Sequence, residues 1–451
     1  ILKERERVII NFLIIIQGIN DMKKDMKKLV SIVLTGIMCI SLAGCAGNQE
    51  AKNPNPGGDS TEVTIKIMSW LADPVQSGIE KMNQEFMEEH PGVTIEYEAV
   101  TGDDYRTVLQ TRFASGDGPD IFMNAGYSWL DTFQQYMSPI TDEEWAQYLP
   151  EASKQRWGAD GEYYGFPINL QSISYVYNKD MFEKAGISEL PDTFEELQDA
   201  CEKLEAIGVT PFGIPGGLTA RLAHSFNVAL GHHDDPTAFI QQLRSGEATC
   251  ADDEAFNQWA DFFEYTIQHS TDDVLTCDDD AIYTLFATEQ VAMIQAGSWC
   301  ESALKEINPD LNIGIIPMSI NNNEDENFIA GDAADGFSIA ENENTELSKE
   351  LVAYWALSDT GVNIFKEYQM IPAMSNCKYD ASELGQILEE ADQYFKNGEY
   401  FGWYWYAFPD LTADLQFGAI MQSYISGSID KQEMLDQFDL KIAELEAKSQ
   451  Q

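Results

Sequence analysis

The stretch VTIKIMSW (residues 63–70) alternates apolar and polar side chains and then ends in an indole. Alternation of period two reads as a half-buried strand, and a Trp that ends the strand is delivered to its carboxyl edge. Residues 77–90 follow with Ile79, Met82 and Phe86 on one helical face, stopped by Pro91 and Gly92. VTIEYEAV (93–100) is the next strand. Tyr105, Val108, Leu109 and Phe113 mark the next helix, halted by SGDGPD (115–120), and DIFMNA (120–125) is a third, short strand. Strand and helix alternating at this spacing predict an open, mostly parallel α/β sheet. Ligands of such sheets sit outside the carboxyl ends of the strands. That is where Trp70, Asn124 and Tyr127 fall.

A second unit begins after YYGFPINLQSISYVYNKDMF (163–182). Its clearest helix is TFEELQDACEKLEAIG (193–208), with Phe194, Leu197, Cys201 and Leu204 as the buried stripe and Gly208 as the C-cap. Thr193 and Glu196 predict a reciprocal capping box. VAMIQAGSW (291–299) is a strand ending in Trp299, and LNIGIIPM (311–318) is another. Residues 337–359 read as strand, polar loop and amphipathic helix, and the chain from Leu411 reads as helices. Seven of the nine residues of YFGWYWYAF (400–408) are aromatic, which makes this run either core or stacking platform. If it is extended, Trp403 and Trp405 share one face and Tyr404 and Tyr406 the other. One of the two tryptophans is then expected at the ligand and the rest in the core.

The 451 residues suffice for two domains, and 44% hydrophobic content supports a core. Acidic side chains number 76 against 27 basic. Residues 1–44 hold 7 of the basic and 4 of the acidic groups, so the remainder carries 20 against 72, a net of −52. Such a surface repels phosphate backbones and anionic lipid, which excludes nucleic acid as a partner. KKDMKK (23–28) before the apolar run LVSIVLTGIMCISL (29–42) fits a signal peptide, too short for a spanning helix. LAGC (42–45) resembles the lipobox of bacterial lipoproteins, which implies lipidation of Cys45; the alternative is an ordinary secretory leader. Residues 46–61, rich in Gly, Pro, Asn and Ser, read as a flexible linker. The residues ahead of Met22 look like translated upstream sequence, with Met22 or Met26 the better start. The seven cysteines show no metal-type spacing; a disulfide among the last five is open.

Taken in order, VTIKIMSW, ASGDGPDIFMNAG (114–126), YYGFPINLQSISYVYNKDMFEKAGI (163–187), PDTFEEL, VAMIQAGSW and GDAADGFSIA (331–340) resemble the extracellular solute-binding proteins of sugar ABC transporters, the family that includes maltose-binding protein. The resemblance implies an α/β, two-lobed type II fold of discontinuous lobes joined by a multi-strand hinge that bends around ligand. Lobe one is then 62–168 with 330–376, and lobe two 171–326 with 379–451. It further implies a monomer that delivers a carbohydrate to a permease, on a lipid anchor, with no cofactor, no metal and no catalysis. The implied ligand contacts are Trp70 and Asp73 after the first strand, Asn124 and Tyr127 after the third, and Asn169 and Gln171 at the hinge. Trp299, Trp403 or Trp405, and Asp332 and Asp335 complete the set. Either aspartate can fork to two sugar hydroxyls. Arg221 and His224, in GIPGGLTARLAH (213–224), stay outside it.

Two other readings of the residues stay open. A secreted glycoside-acting enzyme needs only a pair of carboxylates, and these are abundant. A receptor for a polyamine or peptide would suit an acidic cleft. No GxSxG, HExxH or Walker loop supports other chemistry, and His232-His233 with Asp234 reads as a polar turn.

Overall fold

A computed structural model describes residues 62–71, 73, 75–100, 104–333, 336–367 and 370–450. Cys45, the expected leader and linker, and Asp335 lie outside them. The first half includes, in order, β1 (Val63–Ser69), α1 (Val75–Glu89), β2 (Val93–Ala99), α2 (Asp104–Ser115), β3 (Ile121–Met123), α3 (Ser128–Phe133), β4 (Met137–Ser138), α4 (Glu151–Arg156), β5 (Phe166–Pro167) and β6 (Asn169–Asn178). The predicted stripe of α1 is the buried one: Ile79, Met82 and Phe86 face the sheet. Strand β1 pairs in parallel with β2 along its whole length and with β3.

The second half includes α5 (Phe194–Ala206), β7 (Thr210–Gly213), α6 (Thr219–Gly231), β8 (Val291–Gly297), β9 (Ile313–Ile316), β10 (Ile329–Ala333), β11 (Gly336–Ala340), α7 (Thr345–Leu357), α8 (Asp359–Glu367), β12 (Ile371–Pro372), α9 (Gln386–Asn397), β13 (Tyr400–Phe401), α10 (Ala413–Ile425) and α11 (Lys431–Ser449). Two large sheets result. The first has the order β2-β1-β3-β11-β4, with β5 also on β11. The second has the order β13-β10-β6-β8-β7, with β9 and β12 also on β6. Each sheet has its own hydrophobic core, so the body has two lobes.

Parallel pairing joins β1, β2 and β3 in the first sheet, and β8 with β7 and β10 with β13 in the second. Strand β11 returns antiparallel to β3, β4 and β5, and β6 is antiparallel to β8, β9, β10 and β12. The chain changes sheet between β5 and β6, between β10 and β11, and between β11 and β12. By its hydrogen bonds residue 330 onward to Ala333 belongs to the second sheet, as do Ile371 and Pro372.

Local chemistry modifies two expectations. Thr193 accepts from the Glu196 amide at 3.2 Å, but the Glu196 carboxylate reaches Asp192 N rather than Thr193 N, so the box at α5 is half formed. The full reciprocal box caps α11, through Asp430 and Glu433. The aromatic run is extended only at Tyr400–Phe401 and then turns into a 3₁₀ segment at Tyr404–Ala407. Buried Asn227 on α6 is the cause. Its Oδ1 accepts from Tyr404 N at 2.8 Å and Trp405 N at 3.3 Å, and its Nδ2 donates to Gly402 O at 2.9 Å. The five cysteines Cys201, Cys250, Cys277, Cys300 and Cys377 are all free thiols.

Asn227→Ala strands two backbone donors and one acceptor in a buried site, each a desolvation penalty that only a partner relieves. Urea unfolding is expected to show a loss of about 2–3 kcal/mol, against nearly none for Asn397→Ala on the exposed end of α9.

Candidate functional site

Between the lobes lies a cleft of about 390 Å³. On the lobe-one side Trp70 follows β1 and meets Tyr105 edge-on at 4.9 Å and Trp129 at 5.6 Å. The Tyr105 hydroxyl donates to the carbonyls of Met68 and Met123, at 3.1 and 3.0 Å, and so is fixed to the ends of β1 and β3. Trp70 thus rests on a buttress that leaves its indole little freedom to rotate. Asp73 sits exposed at the rim and accepts from the Ser77 amide at 3.2 Å.

The lobe-two wall starts at the end of β8. A Cβ on Gly297 would lie 2.0 Å from the Trp299 ring, so only glycine lets that indole fold back over the strand end. Ser298 Oγ accepts from Ser172 N at 3.1 Å and ties this turn to β6. The His224 ring, from α6, stands edge-on to Trp299 at 6.1 Å and stacks on Trp405 at 5.2 Å. Trp403 lies 5.2 Å from Trp405. Both tryptophans line the cleft, with Tyr406. The run is a turn and not a strand here, so the alternation expected of an extended segment does not apply to it.

The floor is Asn169 and Gln171 of β6 with Arg156, the last residue of α4. No motif surrounds Arg156 to mark it in the sequence. Its side chain is fully buried, with Nε donating to Ala125 O at 2.7 Å, Nη1 to Ala333 O, and the guanidinium over the rings of Trp157 and Tyr406. Three buried polar atoms at the cleft have no protein partner: Arg156 Nη2, Asn169 Oδ1 and Trp403 Nε1. Two donors and one acceptor are therefore offered to a guest.

Four expected residues fall elsewhere or outside. Asn124 is fully buried, accepting from Gly126 N at 2.7 Å and donating to Ser338 Oγ at 3.2 Å; it closes an Asx turn and does not line the cleft. Tyr127 does not line it either. Its φ of 48° brings its amide to Arg156 O at 2.8 Å, and burial and Asp332 push its phenol up. Asp332 lies beneath Arg156, 3.7 Å from Nη1, its carboxyl raised by burial against the lowering effect of that guanidinium. It is paired with that cation and is not among the residues lining the cleft. Asp335 is outside the described residues.

The charges of the cleft wall are matched within the protein. Arg156 faces Asp332. Arg221, set aside in the sequence, lies over the Trp299 ring at 5.0 Å and binds Asp279 at 2.8 Å. Glu301 accepts from Gln386 N and Ile387 N, each at 2.8 Å, at the start of α9, where the helix dipole favours an anion. His224 is neutral, its pKa held well below the ordinary 6.5 by burial and then by Arg221. Among the described residues no group of three or more His, Cys, Asp or Glu could hold a metal ion.

Comparison with known proteins agrees with this architecture. The pattern of the family described as bacterial extracellular solute-binding protein matches residues 71–360. An ABC transporter extracellular-binding protein of Pyrococcus horikoshii is 26% identical over 310 residues, 65% of this chain and 69% of that one. The melibiose/raffinose/stachyose-binding protein MelE of Bacillus subtilis is 21% identical over 366 residues, 77% of this chain and 82% of its own. Among solved structures, the binding protein MsmE of Bacillus subtilis in an open conformation superposes with TM-score 0.74 at 18% identity, covering 87% of this chain and all of that one. These solved relatives share the two-domain fold.

Below pH 6.5 the unfolded chain protonates His224 and the folded one does not, so this residue lowers stability as pH falls, by up to about 1.4 kcal/mol per pH unit. His224→Gln removes the effect. Subtracting the thermal-denaturation profiles of the two proteins should give a flat difference above pH 7 and a growing one between pH 6.5 and 5; parallel profiles throughout would place the imidazole in water.

Proposed function

The chain belongs to the bacterial extracellular solute-binding proteins, and from that premise we propose that its cleft captures an uncharged, hydroxyl-rich carbohydrate, an oligosaccharide, for an ABC transporter permease. The observation that carries the reading is the pairing of indole faces with a charge-balanced wall and three orphaned polar atoms. A pyranose has an apolar face of C–H groups and a rim of hydroxyls. One indole covering ~40–60 Å² of that face contributes about 1–1.5 kcal/mol. Each paired hydroxyl adds about 0.5–1.5 kcal/mol, and the wrong epimer leaves a buried donor unpaired. Stacking by Trp70, Trp299, Trp403 and Trp405 supplies general affinity. Arg156, Asn169 and Gln171 select among sugars. The names carried by MelE, for melibiose, raffinose and stachyose, support the oligosaccharide class.

The passages of the chain from one sheet to the other act as the hinge, and the lobes close over the sugar by bending there. The protein works outside the cytoplasmic membrane as a monomer held by lipid on Cys45, with two or more acyl chains giving a stable anchor. The sugar leaves the cleft with its bonds intact.

A thermal-shift panel of raffinose, stachyose, maltotriose, an oligogalacturonide, spermidine and a tripeptide tests the reading. A neutral oligosaccharide at 100 times its Kd should add ~2.7 kcal/mol to stability. Shifts with spermidine or the tripeptide alone would overturn the carbohydrate class, and release of reducing sugar from stachyose would make the protein an enzyme. Trp299→Ala should abolish the shift. Trp403→Phe keeps a ring but removes the orphaned donor, and should weaken binding by about 1 kcal/mol, roughly fivefold.

A further inference from the structure

Among the described residues two ion pairs join the lobes. Arg156 and Asp332 meet beside the end of β10, where the chain leaves the second sheet and hinge bending displaces neighbours least. Arg106 and Asp414 are different. Arg106 stands in the first turn of α2, next to Tyr105 and over the Trp129 ring at 6.0 Å, within lobe one and beside the buttress of Trp70. Asp414 stands in the first turn of α10, whose Phe417, Ile420 and Met421 belong to the core of lobe two. Both guanidinium Nη atoms reach both carboxylate oxygens, Nη1 to Oδ1 and Nη2 to Oδ2, each at 2.8 Å. The side chains are only 13% and 6% exposed. The segment leading to Asp414 makes the same crossing: Leu411 is buried in the core of lobe one, and Tyr406 packs against both cores.

A parallel fork of two charge-assisted bonds is the strongest geometry available to a guanidinium and a carboxylate, and it tolerates little displacement. It needs α2 and the start of α10 in one fixed relation, and these elements lie on different lobes. The nearby Arg244 offers no substitute, since Glu446 of its own lobe holds it at 2.8 Å.

We propose that Arg106 and Asp414 form a closure latch, a pair of positioning residues that engage as the lobes come together and disengage as they part. Neither residue is part of the cleft lining. It acts by fixing Tyr406 and Leu411 against lobe one, which sets the width of the cleft mouth and the share of molecules that are closed before any solute arrives. The inference rests on the reading that the two lobes bend about the hinge, and deepens it.

The latch has a signature that a merely stabilising contact lacks. Removing Arg106 leaves the Asp414 carboxylate, only 6% exposed, as a stranded charge in the closed form only, because in the open form water solvates it. Neutralising Asp414 takes away the charge-assisted fork itself. Either single substitution therefore shifts the equilibrium toward open. Replacing both partners by apolar side chains of similar size removes the stranded charge and returns it toward closed.

Small-angle X-ray scattering on the ligand-free chain reads this with no sugar added, so a failed sugar panel leaves the result intact. Asp414→Asn and Arg106→Met should each enlarge the radius of gyration of the folded body, about 21 Å for its size, by about 1 Å. The double variant Arg106→Met with Asp414→Leu should bring it back to the wild-type value. Circular dichroism on each variant confirms that the enlargement is lobe opening and not unfolding. Equal radii in all four proteins would overturn the proposal, as would a double variant as open as the singles.

Discussion

Both lobes depend on the hydrogen bonding of strand β6. Its residues Leu170–Ile173 pair with β10, whose chain then crosses to the first sheet, and its start pairs with β12, where the chain has just come back. Its later residues pair with β8 and β9 inside the second sheet. A slip of one residue would send Asn169, Gln171 and Ile173 to the opposite face and take the floor out of the cleft. The antiparallel neighbours prevent it, since each fixes a different part of the strand. The same strand that closes the core of lobe two is therefore the member about which the two lobes are joined, and the binding floor lies where bending occurs.

Around that floor the aromatic walls are prepared in advance. Trp70 is held edge-on by Tyr105 and Trp129, Trp299 is folded back over Gly297, and the turn carrying Trp403 and Trp405 is fastened by Asn227. Rings held in this way lose little conformational entropy when a guest arrives, so more of the stacking energy appears as affinity. The cost falls on folding, in the form of buried amide and indole groups that must each find a partner. Arg156 Nη2, Asn169 Oδ1 and Trp403 Nε1 are left without one at the cleft lining, while others left without one, such as Trp145 Nε1 and Ser348 Oγ, lie away from it.

The sequence makes the alternating architecture of the first lobe legible, because periodicity and stop signals act over short distances. The stripe of α1 and the Trp at the end of β1 need no tertiary information. The same holds for the Trp that ends VAMIQAGSW, but the folding of its ring back over Gly297 shows only in three dimensions. What local pattern cannot carry is a long-range hydrogen bond. Asn227 reaches across 177 residues to convert an aromatic run into a turn, and periodicity gives no hint of it. Arg156 is invisible for the same reason: its carbonyl partners come from Ala125 and Ala333. Asn124 and Tyr127 do stand after β3 as expected, but the turn they form is closed by Asn124 itself and by Arg156 O, so their polar groups are spent on the backbone.

The net charge of −52 beyond residue 44 and the cleft obey different electrostatics. Surface carboxylates in water act over about a Debye length, ~8–10 Å at ordinary ionic strength. Inside the cleft a single unpaired carboxylate would outweigh many of them, because water no longer screens it. A polyamine site would require such carboxylates. Glu301 instead serves the start of α9, Asp332 is held under Arg156, and Asp279 is held by Arg221. Asp73 stays at the solvated rim, engaged by Ser77. An anionic guest fares no better, since both arginines already have their counter-ions. A neutral guest with many hydroxyls enters without disturbing any of these pairs, and the acidic exterior neither attracts nor repels it.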